Sequence, residues 1–81
     1  MPAKTERYRF KPWEILDVNG TERMLLNGYA DVTHGGGLKY DKVVFLGPGG
    51  TVREETHLKR GHVRKLEKFG IASRISEDNK D

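Results

Sequence analysis

The sequence has no cysteine, so disulfide staples, thiolate nucleophiles and cysteine-ligated zinc or iron–sulfur centres are excluded together. No apolar run approaches the ~18 residues that a membrane span needs, and Met1 to Lys11 holds no apolar stretch resembling a signal peptide. The expectation is a cytoplasmic protein that does not use a membrane. Apolar material is also scarce. Hydrophobic residues make up 35% of the 81, against 33% charged, and a chain this short buries only somewhat over ~60% of the surface that its unfolded form exposes. The core is therefore small, and packing alone, or a partner subunit, must stabilise it.

Acidic residues are missing from one stretch in particular. The net charge is only +3, but Lys59, Arg60, Arg64, Lys65 and Lys68 are opposed between positions 57 and 68 by Glu67 alone, so this stretch holds all of the excess positive charge. At 100° per residue, Leu58, His62, Val63, Leu66 and Phe69 fall in one arc and Arg60, Arg64, Lys65 and Lys68 in the other. The pattern predicts an amphipathic helix, roughly Leu58 to Phe69, capped by Thr56 and stopped by Gly70. In that helix Arg60, Arg64 and Lys68 form a line about 12 Å long, able to follow a phosphate backbone. An ordinary solvated face explains the same residues, although such faces usually mix signs.

What precedes the helix reads as strands. Arg7-Tyr8-Arg9-Phe10-Lys11 alternates basic and aromatic side chains, as an edge strand or extended arm would, and Pro12 interrupts it. Basic and aromatic groups so mixed can hold phosphates and stack bases, while an edge protected by charge is the plainer explanation. Asn19-Gly20 predicts a type I′ hairpin that pairs Leu16 with Arg23, Ile15 with Met24 and Trp13 with Leu26. The apolar patch of Trp13, Ile15, Met24 and Leu26 is then the core face and the helix's target. Met24, Leu26, Gly28, Ala30 and Val32 keep one period of two, so the second strand runs on to about residue 34 with a bend at Gly28. Gly35-Gly36-Gly37 breaks it, Tyr40 to Leu46 forms another strand, and residues 51 to 56 fit a returning strand after Gly47-Pro48-Gly49-Gly50, although Thr51-Val52-Arg53-Glu54 also fits the capping box of a longer helix.

The expected fold is α+β. A small antiparallel β-meander of four to five strands carries one C-terminal amphipathic helix, with an SH3-like open barrel plus helix as the alternative. Residues 1–5 are expected to be a flexible N-terminus, 6–74 a single domain and 75–81 an acidic disordered tail containing Glu77, Asp78 and Asp81.

No catalytic constellation emerges. The glycine clusters lack a following Gly-Lys-Ser/Thr, His34, His57 and His62 have no ligand spacing, and Asp17 with Glu22 lies at an exposed hairpin end. A non-enzymatic binding module without cofactor, metal or small-molecule substrate is expected. It would contact nucleic acid through Arg60, Arg64, Lys65 and Lys68, with Arg7, Arg9 and Lys11 as a second contact. The rival is a protein-interaction module, such as an adaptor, an inhibitor or a homodimer subunit, docking by a strand edge or helix face. Size and composition suit a small accessory protein of a bacterium or a phage.

Overall fold

The computed structural model describes residues 3–16 and 19–75. Five antiparallel strands form one sheet: β1 (Ala3–Leu16), β2 (Arg23–Gly35), β3 (Tyr40–Leu46), β4 (Val52–Lys59) and β5 (Ala72–Arg74). Among the described residues there is one α-helix, α1 (His62–Lys68), which joins β4 to β5. Spatial order is β4-β3-β2-β1-β5, a four-strand meander whose last connection, through α1, returns to the free side of β1. The helix is thus internal to the domain and not C-terminal.

The β1–β2 register is the one that the Asn19-Gly20 turn dictates, with Leu16 opposite Arg23, Ile15 opposite Met24 and Trp13 opposite Leu26. Asp17 and Val18 lie outside the described residues. Pro12 does not end the first strand. The ladder absorbs it as a bulge between Phe10 and Trp13, which switches the inward phase from Tyr8 and Phe10 to Ile15. Opposite the bulge, Gly28 adopts φ +85°, a left-handed conformation that lets β2 bend without leaving the sheet. As expected, β2 is one long strand, burying Leu26, Ala30 and Val32 at alternate positions.

Three expectations about β1 need correction. Tyr8–Phe10 is not an edge, because β5 covers it, pairing Tyr8 with Arg74 and Phe10 with Ala72. Ala3, Lys4 and Thr5, placed by the sequence in a loose N-terminus, pair with Gly35, His34 and Thr33. Trp13, counted as core, is 46% exposed. It lies on the hairpin end that runs past its neighbours, since β3 pairs with β2 only from Ala30 to Thr33 and β5 reaches only Tyr8 to Phe10. Ile75 donates its backbone N–H to Arg7 O at 2.9 Å, so it belongs to the domain; the expected acidic tail beyond it lies outside the described residues.

The helix is shorter than predicted. Leu58 satisfies both a helical and an alternating pattern, and the alternating one wins: it lies in β4 opposite Asp41 and is 1% exposed. Thr56 is likewise a strand residue, donating to Met24 Sδ at 3.0 Å rather than capping a helix. The chain turns at Arg60-Gly61, where Gly61 takes φ +85°, and only then becomes helical. At the other end Gly70 N–H bonds to Glu67 O and Ile71 N–H to Leu66 O, a Schellman closure at the expected stop. Phe69 is the C-cap residue and 75% exposed, not part of the apolar face. Val63 and Leu66 alone carry that face into the core, which they share with Tyr8, Phe10, Ile15, Leu26, Ala30, Val32, Val43, Phe45, Leu58 and Ala72. The expected target, the Trp13 end of the hairpin, is not where α1 sits; it packs on β5 and β4.

Candidate nucleic-acid interface

The turn Arg60-Gly61 and helix α1 present the basic residues in a new arrangement. Arg64, Lys65 and Lys68 are exposed on the outward side of α1, opposite Val63 and Leu66. Arg60 precedes the helix, so the predicted line of Arg60, Arg64 and Lys68 on one helix is not formed. Its guanidinium instead donates to Leu38 O, which fixes the turn against the β2–β3 loop. Lys59, Arg60, Gly61, His62 and Lys65 line a surface depression of about 300 Å³ with no acidic side chain in its wall. Burial first, and then the positive charges of Lys65 and Lys59, hold the His62 imidazole below its ordinary range.

Arg60 and Gly61 also border a second, narrower recess of about 210 Å³, lined by Tyr8, Val32, His34, Gly35, Asp41, Val63 and Arg64. It lies where the inward face of the sheet turns polar. Glu6, a single carboxylate, gathers three basic side chains there: Arg74 Nη1 donates to it at 2.9 Å, His34 Nε2 lies 3.0 Å away and Lys4 Nζ 3.8 Å. Burial acts to raise the pKa of Glu6, but the hydrogen bonds from Arg74 and His34, with the charges of Lys4 and Arg74, outweigh it and leave the group below its ordinary value. Tyr8 is shifted upward, by burial and by the nearby Glu67 and Glu6 carboxylates.

Because the folded Glu6 has the lower pKa, its ionised form contributes stability above the ordinary carboxylate range, and that contribution is lost as the pH falls through and below it. Glu6→Gln is expected to lower the melting temperature at neutral pH while flattening its fall between neutral and strongly acidic conditions. Thermal melts of both proteins across that range check this.

The strand candidates lie elsewhere. Arg7, Arg9 and Lys11 alternate with the buried Tyr8 and Phe10 and so occupy the opposite face of the sheet from α1. Arg7 forms a two-pronged bond with Asp31, at 2.8 Å and 3.3 Å, which offsets its charge. Arg9 and Lys11 line a separate depression with Pro12, Asn27, Gly28, Tyr29 and Ser73. Tyr8 and Phe10, candidates for stacking on bases, are core residues at 3% and 2% exposure. The two basic groups therefore do not merge into one surface.

Sequence reasoning missed Lys59 as a wall of the depression, and it missed Asp41 altogether. No sequence signal marks Asp41, because the run Val43-Val44-Phe45-Leu46 leaves the inward phase of β3 open; its alternation with Val43 and Phe45 appears only in the fold. Among the described residues no three His, Asp or Glu side chains cluster as a metal site would require, and no helix is long and apolar enough to cross a membrane. Comparison with protein-family models, curated proteins and solved structures finds no match to this chain.

Proposed function

We propose that this protein is a small nucleic-acid-binding module that holds phosphates along the β4–α1 corner, with Lys59, Arg60, Arg64, Lys65 and Lys68 as the contact residues. The observation that carries the reading is the acid-free depression of Lys59, Arg60, His62 and Lys65, in which burial first, and then the charges of Lys65 and Lys59, disfavour a further positive charge on His62. A phosphate is the group that complements the unopposed cations there. Phe69 adds to it. An exposed aromatic ring one turn beyond Lys65 offers an unpaired base a stacking surface beside a cation, and no core contact accounts for its presence. Within this reading the sheet is an SH3-like open barrel, supported by the return of β5 to β1 and by a helix that touches both edge strands.

The test is binding of a labelled single-stranded oligonucleotide as salt is varied. With four to five phosphates engaged, log affinity should fall against log salt with a slope of about −3. Binding should also take up a proton, because phosphate near His62 raises its pKa back toward the ordinary value. Affinity is therefore expected to rise as the pH drops through that range, and His62→Gln should remove the pH effect while keeping the salt slope. A salt-independent affinity would refute the reading.

A second reading, a protein-interaction module, is favoured by the other face of the sheet. There Tyr29, Leu46, Gly47, Gly50 and Ile75 surround a mainly apolar depression of about 310 Å³ beside the Arg7–Asp31 pair, and Val52 is 67% exposed. Mass in solution as a function of concentration separates self-association through that face from a monomer.

A further inference from the structure

We propose that the recess beneath the Arg60-Gly61 turn receives one guanine base of an unpaired strand, with Asp41 as its reader; this rests on the nucleic-acid reading above and deepens it. Asp41 is 4% exposed, the one buried charged residue among those described. Its carboxylate accepts no hydrogen bond from a described residue, yet no buried side-chain oxygen is sealed off without a partner. The carboxylate therefore faces the recess that it lines. Carboxylate oxygens that open only onto a recess are met there by water, which the donors of a ligand can replace.

The recess sets the size and the polarity of that ligand. About 210 Å³ is the space of about seven waters in the liquid, enough for one base and not for two. Gly35 and Gly61 add no side chains to its wall, and Tyr8 contributes a hydroxyl that makes no hydrogen bond among the described residues. Arg60 and Arg64 stand at its border, and Arg60 is shared with the depression of Lys59 and Lys65, so a base inserted here leaves its phosphates on the basic surface.

Guanine is the base whose pairing edge carries two parallel donors, N1–H and the N2 amino group, which match the two oxygens of a carboxylate. Its O6 is left as an acceptor for a donor such as the Tyr8 hydroxyl. Adenine and cytosine put one amino group beside a bare ring nitrogen, whose lone pair opposes the second oxygen. Thymine and uracil flank one donor with two carbonyls. The preference is thus built from matched donors and from repulsion of the wrong edges.

The experiment uses the whole chain and a labelled strand of deoxythymidine in which one central base is replaced by guanine, hypoxanthine, adenine or cytosine. The guanine strand is expected to bind about tenfold or more tightly than the all-thymine strand, with hypoxanthine, which lacks the N2 amino group, in between. Asp41→Asn is expected to erase the guanine preference and leave the salt slope unchanged. The base series needs no variant, so it stands even where Asp41→Asn fails to fold. Equal affinity for all strands, with the salt slope present, overturns the guanine site and leaves the phosphate reading standing. Absence of salt-dependent binding to any strand overturns both. Guanosine monophosphate that competes as well as the guanine strand assigns the recess to the free nucleotide and overturns the strand as its source.

Discussion

Phe45→Ala is expected to destabilise the protein by about 3–5 kcal/mol, which for a domain this small lowers the melting temperature by roughly 15 °C or more. The residue is 1% exposed on β3. Its ring meets that of Phe10 at 5.9 Å between centroids, and Phe10 in turn meets Tyr8 at 6.1 Å, so one aromatic row ties β3 to β1 across the small Ala30 of β2. Arg53 lies over the Phe45 ring at 5.4 Å and donates to Asn27 O at 3.0 Å, which links β4 and β2 to the same ring. Truncation removes buried area, leaves a cavity that four strands cannot close around, and takes away a cation–π contact. Total stability for such a domain is about 5–15 kcal/mol, so a substantial share of the folding margin is at stake. Phe69→Ala deletes the same phenyl ring from a side chain 75% exposed and is expected to change stability by no more than about 0.5 kcal/mol. In the binding reading it weakens association with an unpaired strand by about 1–3 kcal/mol. Urea denaturation of the two variants, with strand binding by Phe69→Ala, checks the pair. A strongly destabilised Phe69→Ala would return that residue to the apolar face that the sequence assigned to it.

The contrast between the two phenylalanines marks where the sequence was readable. In β2 the apolar residues keep a period of two and one tight turn sets the β1–β2 register, so Leu26, Ala30 and Val32 follow from pattern alone, whereas the run Val43-Val44-Phe45-Leu46 marks β3 as a strand without fixing its inward face. At positions 58 to 61 two periods overlap. Leu58 suits either, and what decides is the long-range pairing with β3, opposite Asp41, which no local pattern contains. Gly61 then counts as the hinge that starts the helix at φ +85°, not as a weak residue inside it. β5 has only three residues, below the length at which alternation can be recognised, and without it Tyr8 and Phe10 look like an exposed edge instead of core.

Positive charge on the helix was legible because it depends on composition, and its location on Arg64, Lys65 and Lys68 survives the shortening of α1. What the charges surround was not legible. The recess draws Tyr8 from β1, His34 from β2, Asp41 from β3 and Arg64 from α1, residues up to 56 positions apart in the chain, and it exists only after the sheet and the turn have formed. Asp41 in particular reads as an ordinary polar residue at the start of a strand, and its burial follows from its phase with Val43 and Phe45. The strand candidates failed for a related reason. Alternation that puts Tyr8 and Phe10 into the core necessarily puts Arg7 and Arg9 on the far face from the helix.

Removing the charges at the β4–α1 corner should therefore have the second large effect. The variant with alanine at Arg60, Arg64, Lys65 and Lys68 is expected to bind a single-stranded oligonucleotide about 10²- to 10³-fold more weakly near 0.1 M salt, since each phosphate contact contributes about 0.7 to the slope of log affinity against log salt. All four side chains are exposed, and alanine favours the helix. The cost to folding is therefore small and confined mainly to the lost Arg60 bond to Leu38 O. The loss should also shrink by about fiftyfold between 0.05 and 0.2 M salt, because counterion release, not a fixed contact energy, supplies it. Alanine at Arg7, Arg9 and Lys11 is the matched control: it removes three charges from the other face, one of them already offset by Asp31, and is expected to leave the slope within about one unit of the parent. Anisotropy titrations of the three proteins over that salt range decide the matter. Equal losses in both variants would mean that net charge alone governs binding, and undiminished affinity in the first would remove the β4–α1 corner as the interface.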